Sequence, residues 1–259
     1  MCELRCGVDR GGAERGVCGL GTETYCFKRY MSFAEEVELL PAYMVYFGAC
    51  NYRCRFCIQG PDCFAPSSGE RIEPVAFARV LEEAVDQGAK TISLLGGEPS
   101  LHLHTILEIA AAARQPLPLV LKTNMHMTSE ALELLDGVIQ LYLADFKFGN
   151  DRCARSLAGI ERYFEPVSRN LKLAAERTPV LIRHLLMPGH IECCLRPVAQ
   201  WIARELPSAD FHLMTGYVPA WRAAADATIG RTVRRDEIAQ AELCLEELGL
   251  MGRENVRVS

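Results

Sequence analysis

The sequence predicts an α/β fold: six strand–helix units behind a cysteine-containing N-terminal extension. Three observations carry that expectation. Short apolar runs of strand length recur along the chain, and their hydrophobicity is continuous rather than alternating, as in parallel strands buried on both faces. Stretches of helical period lie between them. The chain has 259 residues, 49% of them hydrophobic, which suits one α/β domain with a core of its own.

The elements follow in order. Residues 1–41 form the extension and residues 42–259 the α/β domain. Residues 1–31 are rich in Gly, Cys and charge without a clear period, so they read as loop. Ser32 is placed to cap a short helix through Glu35, Glu36 and Leu39, which Pro41 stops. Strands are expected at 42–47, 91–95, 117–122, 138–146, 180–187 and 210–216. Helices are expected at 74–87, 103–114, 129–135, 167–177, 195–205 and 236–248. The first of these places Val75, Ala78, Leu81 and Val85 on one face and ends at Gly88. Strands alternating with helices argue for right-handed crossovers onto one sheet. No internal repeat, low-complexity segment or further domain is visible.

Composition excludes several classes. The net charge is −5 with both signs mixed along the chain, so there is no basic footprint for nucleic acid and no polybasic membrane patch. The longest apolar runs, 116–121 and 138–144, fall far short of a membrane span. Cys2, Glu3, Arg5 and Cys6 open the chain in place of an apolar leader, which gives a cytoplasmic expectation. Twelve cysteines are many for that compartment, where clustered thiols read as metal ligands or catalytic groups rather than disulfides. Cys2, Cys6, Cys18 and Cys26 lie in the extension, and Cys50, Cys54, Cys57 and Cys63 follow. Cys153, Cys193, Cys194 and Cys244 read as ordinary small core or surface residues.

In folds of this kind reactive groups gather at the C-terminal ends of the strands. Cys50 follows the first strand, Gly97-Glu98 the second and Thr123-Asn124 the third. Asp145 and Lys147 end the fourth, Arg183 lies in the fifth and His212 in the sixth. A barrel that is merely well packed has no need of that convergence. The strongest signal is Cys50-Asn51-Tyr52-Arg53-Cys54-Arg55-Phe56-Cys57. Three thiolates in one loop can point at one iron–sulfur cube, leaving its fourth iron open, much as catalytic zinc sites keep a position open. A zinc loop completed by Cys63 is the plainer alternative, but no second two-cysteine knuckle follows within the next hundred residues.

This Cys-x3-Cys-x2-Cys loop, with an aromatic before its last cysteine, resembles that of the radical S-adenosylmethionine (SAM) superfamily. The resemblance implies a partial (β/α)6, TIM-like barrel open on one side, and a [4Fe–4S] cluster on Cys50, Cys54 and Cys57. The open iron binds the methionine part of SAM. Reductive cleavage then yields a 5′-deoxyadenosyl radical that abstracts hydrogen from a substrate. The electron donor would be a flavodoxin or ferredoxin. Phe56 is assigned a place beside the adenine. Gly96-Gly97-Glu98-Pro99-Ser100 resembles the motif that holds the SAM amino group; alone it would read as a turn. Asp145-Phe146-Lys147 resembles the Asp-x-Lys by which glycyl-radical-enzyme activases contact SAM; the plainer reading is a surface ion pair worth little. Arg183 matches the same group's arginine before a Pro-Gly turn, and a cation in an apolar strand needs an anionic partner, either the SAM carboxylate or Asp145. Thr123-Asn124 resembles an activase Thr-Asn-Gly, with Met125 in place of the glycine. His184 and His212 read as satisfied core or supporting groups.

The extension, Cys2 to Cys6 and then Gly16-Val17-Cys18-Gly19, resembles that of the pyruvate formate-lyase activating enzyme-like (PflX-type) branch, a likeness running from about Cys2 to Trp221. It includes Leu213-Met214 followed by Tyr217 and Pro219. Cys26 is a candidate fourth ligand beside Cys2, Cys6 and Cys18, for zinc or an auxiliary iron–sulfur cluster; free thiols on a flexible tail are the other reading. For the reaction two readings stay open. One is an activase that takes a hydrogen from a backbone glycine of a partner enzyme. The other is a radical enzyme that rearranges, dehydrogenates or methylates a small molecule or peptide, drawing on His184, His212, Tyr217 and Trp221. Val45-Tyr46-Phe47-Gly48-Ala49 stands where activases with known partners carry a Gly-Pro-Gly-x-Arg-like run, which counts against the first.

Overall fold

The computed structural model describes residues Met1–Ser259. The chain forms two compact units, one built from residues 1–51, 61–123 and 127–142, the other from 52–60, 124–126 and 143–259. The boundary expected near residue 41 falls inside the first unit.

The first unit contains β1 (Tyr25–Ser32), β2 (Ala42–Phe47), β3 (Glu70–Arg71), α1 (Pro74–Asp86), β4 (Thr91–Gly96), α2 (Leu103–Ala112), β5 (Leu119–Thr123) and α3 (Ser129–Leu134). Its strands lie in the order β3-β1-β2-β4-β5. β2, β4 and β5 are parallel, with Val45 beside Leu94 and Leu94 beside Leu121. Their inner residues are fully buried, which is why these strands read as unbroken apolar runs. Pro74 opens α1, where a missing N–H costs nothing, and the left-handed Gly88 follows its end. Thr128 caps α3 by accepting from the Ala131 N–H at 3.3 Å.

The extension departs from expectation. Tyr25–Ser32 is not loop but a strand, paired antiparallel with β2, Arg29 beside Val45. Its Tyr, Phe and Met residues suit a pleated edge, a signal hidden by the Gly- and Cys-rich sequence before it. Ser32 therefore ends a strand instead of capping a helix, and only the single 3₁₀ turn Val37–Leu39 follows.

β6 (Leu141–Asp145) begins in the first unit, where the Gln140 N–H just before it donates to the Leu119 carbonyl at 2.9 Å. Its later residues belong to the second unit, where the Phe146 N–H donates to the Arg183 carbonyl at 2.9 Å. The second unit continues with α4 (Asp151–Ala158), α5 (Phe164–Ala175), β7 (Val180–Leu185), α6 (Arg196–Glu205), β8 (Asp210–Met214), α7 (Arg235–Glu247) and β9 (Val256–Val258). β7, β8 and β9 are parallel neighbours, with Arg183 beside His212 and Leu213 beside Val258. The six expected strands are all present, and β1, β3 and β9 are additional. α4 also escaped the sequence reading: at eight residues it is short, but it is fully punctuated, with Asn150 accepting from the Cys153 N–H at 2.8 Å and left-handed Gly159 at its end. The expected start of α6 at residue 195 gives way to a π turn, Ile191–Leu195, immediately before the helix.

Candidate active site

In the first unit the cluster loop leaves β2 through Gly48 and Ala49, the latter at φ +63. The Gly97 and Glu98 N–H groups donate to the Phe47 and Ala49 carbonyls, both at 2.9 Å, so Gly96-Gly97-Glu98 is laced to the backbone that delivers Cys50. A Cβ on Gly97 would strike the Ala49 carbonyl, and Gly96 sits at φ +113, closed to other residues. The close approach that these glycines allow is therefore to the cysteine loop itself. Glu98 is buried, and its Oε1 accepts from the Thr123 hydroxyl at 2.7 Å and the Ser100 N–H at 3.1 Å, which orients the carboxylate.

A buried relay not foreseen from the sequence supports this loop. His102 Nε2 donates to the Gly48 carbonyl at 2.8 Å, because a carbonyl can only accept. Nδ1 then accepts from the Thr24 hydroxyl at 3.0 Å, and Thr24 meets Thr105 at 2.7 Å. Burial pulls His102 down to about 4, so the imidazole is neutral and one tautomer satisfies both contacts.

In the second unit Cys54 is buried and Cys57 half-buried, joined by the Cys57 N–H donating to the Cys54 carbonyl at 3.2 Å. The loop is anchored on α4: the Arg53 and Arg55 N–H groups donate to the Ala158 and Leu157 carbonyls at 2.9 and 2.8 Å, satisfying acceptors that a helix end leaves open. Burial pushes the Cys54 thiol up to about 12, with the Lys147 charge acting the other way. Phe56 lies in an aromatic nest, 6.1 Å from Phe148 edge-on and 6.2 Å from Tyr217 between ring centres.

Asp145 gathers the cations. Its Oδ1 accepts from Arg183 Nη2 at 2.7 Å and Nε at 3.0 Å, and its Oδ2 accepts from Lys147 Nζ at 2.6 Å. Arg183 pairs with Asp145, one of the two anionic partners expected for it, and Arg183 is buried while Asp145 keeps 23% of its side chain exposed. Burial pulls Lys147 down, but Asp145 and Cys54 together outweigh it and the net displacement is upward. The Lys147 and Phe148 N–H groups both donate to the Tyr163 hydroxyl, at 2.6 and 3.3 Å, fixing the chain beyond β6.

Asn124 is buried and turns on itself, its Oδ1 accepting from the His126 N–H at 3.0 Å. Met125, which replaces the expected glycine, still adopts φ +57, and its carbonyl is held by Asn170 Nδ2 at 2.8 Å. The turn thus keeps its left-handed shape without glycine. His184 is a satisfied core group, Nδ1 donating to the Phe146 carbonyl at 2.7 Å, with its pKa drawn down to about 4 by burial. His212 Nε2 meets the Ser259 hydroxyl at 2.7 Å.

Of the N-terminal cysteines, Cys6 and Cys18 both come near Cys2: burial raises the Cys2 thiol, and both neighbours add to the rise. Cys26 is buried in β1 and donates to the Lys28 carbonyl at 3.2 Å. A further group was passed over in the sequence as scattered small residues. The ligand atoms of Cys153, His190 and Cys193 all lie within 4.8 Å of one another. A hydrogen bond from Cys194 draws the Cys193 thiol down to about 5, and the same contact with burial pushes Cys194 up. Only the adjacent Cys193-Cys194 pair was visible in the sequence.

The radical SAM superfamily pattern matches residues 44–202. The chain belongs to the radical SAM superfamily. An uncharacterized protein of Methanocaldococcus jannaschii is 33% identical over 256 residues, covering 96% of this chain and 75% of that one. SuiB from Streptococcus suis, solved bound to S-adenosylmethionine, superposes with a TM-score of 0.59 at 16% identity, over 81% of this chain and 47% of SuiB. This radical SAM chain therefore spans about half the length of SuiB. A domain of pyruvate-formate lyase-activating enzyme from Bacteroides vulgatus gives a TM-score of 0.51 at 18% identity, over 65% of this chain and 98% of that domain. These likenesses establish the fold as the mixed α/β partial barrel of the superfamily, its sheet not closed. No helix is long and apolar enough to cross a membrane.

The cofactors of this radical SAM chain are a [4Fe–4S] cluster and SAM. Its residues fit them. One loop offers three thiols, the chemistry a cubane needs, and Lys147 favours the thiolate of Cys54. The oriented carboxylate of Glu98 suits an ammonium group.

Proposed function

We propose that Cys50, Cys54 and Cys57 hold the cluster, and that Gly96-Gly97-Glu98-Pro99 and Asn124 receive the methionine part of SAM. Asp145, Lys147 and Arg183 complete the SAM contacts, and Phe56 lies against the adenine. When bound, the two cofactors supply one-electron cleavage of a sulfonium and with it a hydrogen-abstracting radical. This chain's residues do the rest. Glu98 accepts from the ammonium, Phe56 with Phe148 and Tyr217 keeps water from the adenine side, and Asp145 holds Arg183 and Lys147 as a preset cationic pair.

The finer reading is a glycyl-radical activase. The observation that supports it is the Asp145–Lys147–Arg183 ion-pair network, whose Asp-x-Lys resembles the SAM-contacting pair of activases and whose arginine matches theirs before a Pro-Gly turn. A second reading, a small-molecule or peptide substrate, draws support from β2. Val45 and Phe47 are buried strand residues where activases with known partners carry a glycine-rich run. In either case a reductant of the flavodoxin or ferredoxin type would deliver the electron.

The test is anaerobic incubation of the reconstituted, reduced protein with SAM. 5′-Deoxyadenosine should form slowly without substrate and vanish in Cys54→Ala, which should also lose the brown cluster colour. A colourless wild type, or one that forms no 5′-deoxyadenosine, would refute the family chemistry in this chain. A glycyl-radical enzyme encoded nearby should then acquire the doublet electron paramagnetic resonance signal of a backbone glycyl radical. Cleavage of SAM without that signal would favour the small-substrate reading.

A further inference from the structure

We propose that Cys153, His190 and Cys193 form a metal site of the zinc class, apart from the radical SAM machinery, with a fourth position that water or Cys194 can fill. Their ligand atoms all lie within 4.8 Å of one another. Zinc bonds of about 2.3 Å to sulfur and about 2.0–2.1 Å to nitrogen place tetrahedral ligands about 3.5–3.8 Å apart, so the group needs to contract by only about an ångström.

The surroundings are those of an oriented ligand set. His190 Nδ1 donates to the Pro188 carbonyl at 2.8 Å, which fixes the tautomer that leaves the lone pair on Nε2. Asn150 Nδ2 donates to Cys153 Sγ at 3.4 Å and to the Cys193 carbonyl at 2.5 Å, so one amide spans both thiol-bearing segments. The carbonyls of Cys193 and Cys194 approach Gly149 so closely that a side chain there would collide with them. Cys193 sits in the π turn Ile191–Leu195, a conformation that is rare and frequent at functional sites.

Charge fits a metal between the two thiols and the imidazole. Cys153 is buried and Cys193 partly so, and an unpaired thiolate there is costly. Two thiolates and a neutral imidazole around a divalent ion make a neutral group, and nitrogen–sulfur donors in a tetrahedron favour zinc. Such an ion would tie α4, which follows Asp145 and Lys147 in the chain, to the segment after β7, the strand that carries Arg183.

The test uses full-length protein with the cluster reconstituted, expressed with added zinc and kept reduced, in a Cys2→Ser/Cys6→Ser/Cys18→Ser background. That background removes the other sulfur-rich candidate. Elemental analysis should find one zinc per chain, and X-ray absorption should show one nitrogen at about 2.0–2.1 Å and sulfurs at about 2.3 Å, two where water fills the fourth position and three where Cys194 does. Adding Cys153→Ser/Cys193→Ser should bring zinc to the level of a blank, and His190→Gln should weaken binding at least about tenfold. Should the double variant fail to fold, the background protein with Cys153, His190 and Cys193 intact decides: a competing chelator should release the zinc and lower the melting temperature. Zinc absent from the background protein, zinc unaffected by the variants, a chelator with no effect, or sulfide in excess of one cluster that disappears with Cys153 and Cys193 would each overturn the proposal.

Discussion

Acid should loosen this protein through two histidines that stay neutral in the native state above about pH 4. His102 and His184 are fully buried, each spends a ring N–H on a backbone carbonyl, and burial draws each to about 4. In the unfolded chain both return to about 6.5, so below that pH the unfolded state binds more protons. The sign follows: the stabilisation from keeping them neutral is complete above about pH 6.5, is lost as pH falls, and levels off below about 4. Between pH 7 and 5 the two displacements are worth about 2 kcal/mol per histidine, about 4 kcal/mol together, at roughly 1.4 kcal/mol per unit. Against a typical total of about 5–15 kcal/mol this is a large fraction. With an m-value of about 3 kcal/mol/M, the urea midpoint should fall by about 1 M from this source. The assay is anaerobic urea unfolding at pH 7, 6 and 5, followed by far-ultraviolet circular dichroism. Gln at these positions keeps a donor for the carbonyl but cannot titrate. His102→Gln and His184→Gln should each remove about half of the pH dependence, and the double variant nearly all of it. A double variant that loses as much between pH 7 and 5 as the wild type would refute the reasoning.

Three other outcomes follow from the geometry. Arg183→Met leaves Asp145 with Lys147 alone, so its cost should fall toward the lower end of the about 3–5 kcal/mol typical of breaking a buried pair; thermal melting checks this, and isothermal titration should show weaker SAM binding. Gly97→Ala forces a methyl into the Ala49 carbonyl and should cost about 1–3 kcal/mol while lowering iron retained after gel filtration; iron content equal to wild type would count against the laced loop. Asn170→Ala frees the Met125 carbonyl that holds a left-handed turn, and should destabilise by about 1–3 kcal/mol; adding Met125→Gly should recover part of that, read by the same melts.

Much of the fold was legible because parallel strands buried on both faces leave mainly apolar runs, and 42–47, 94–95 and 180–182 are such stretches within β2, β4 and β7. β1 and α4 were missed for opposite reasons: β1 lies beside a Gly- and Cys-rich stretch that dilutes its signal, and α4 is short with three charged residues in eight. The cluster loop was legible because its three cysteines share eight consecutive residues, a spacing that needs no tertiary contact to be seen. Met125 was read as a weakened match, yet its backbone takes the glycine-like conformation because Asn170, forty-five residues on, holds it there.

By itself the amino-acid sequence determined the strand runs, the cysteine loop and the order in which polar groups meet the strand ends, since each is a local pattern of period or spacing. Tertiary structure alone decided that Asp145 answers Arg183, that His102 reaches back to Gly48, and that Cys153 meets His190 and Cys193. Those pairings join residues 37 or more positions apart, and which of them touch depends on register and on the path of the crossovers, which no local pattern encodes.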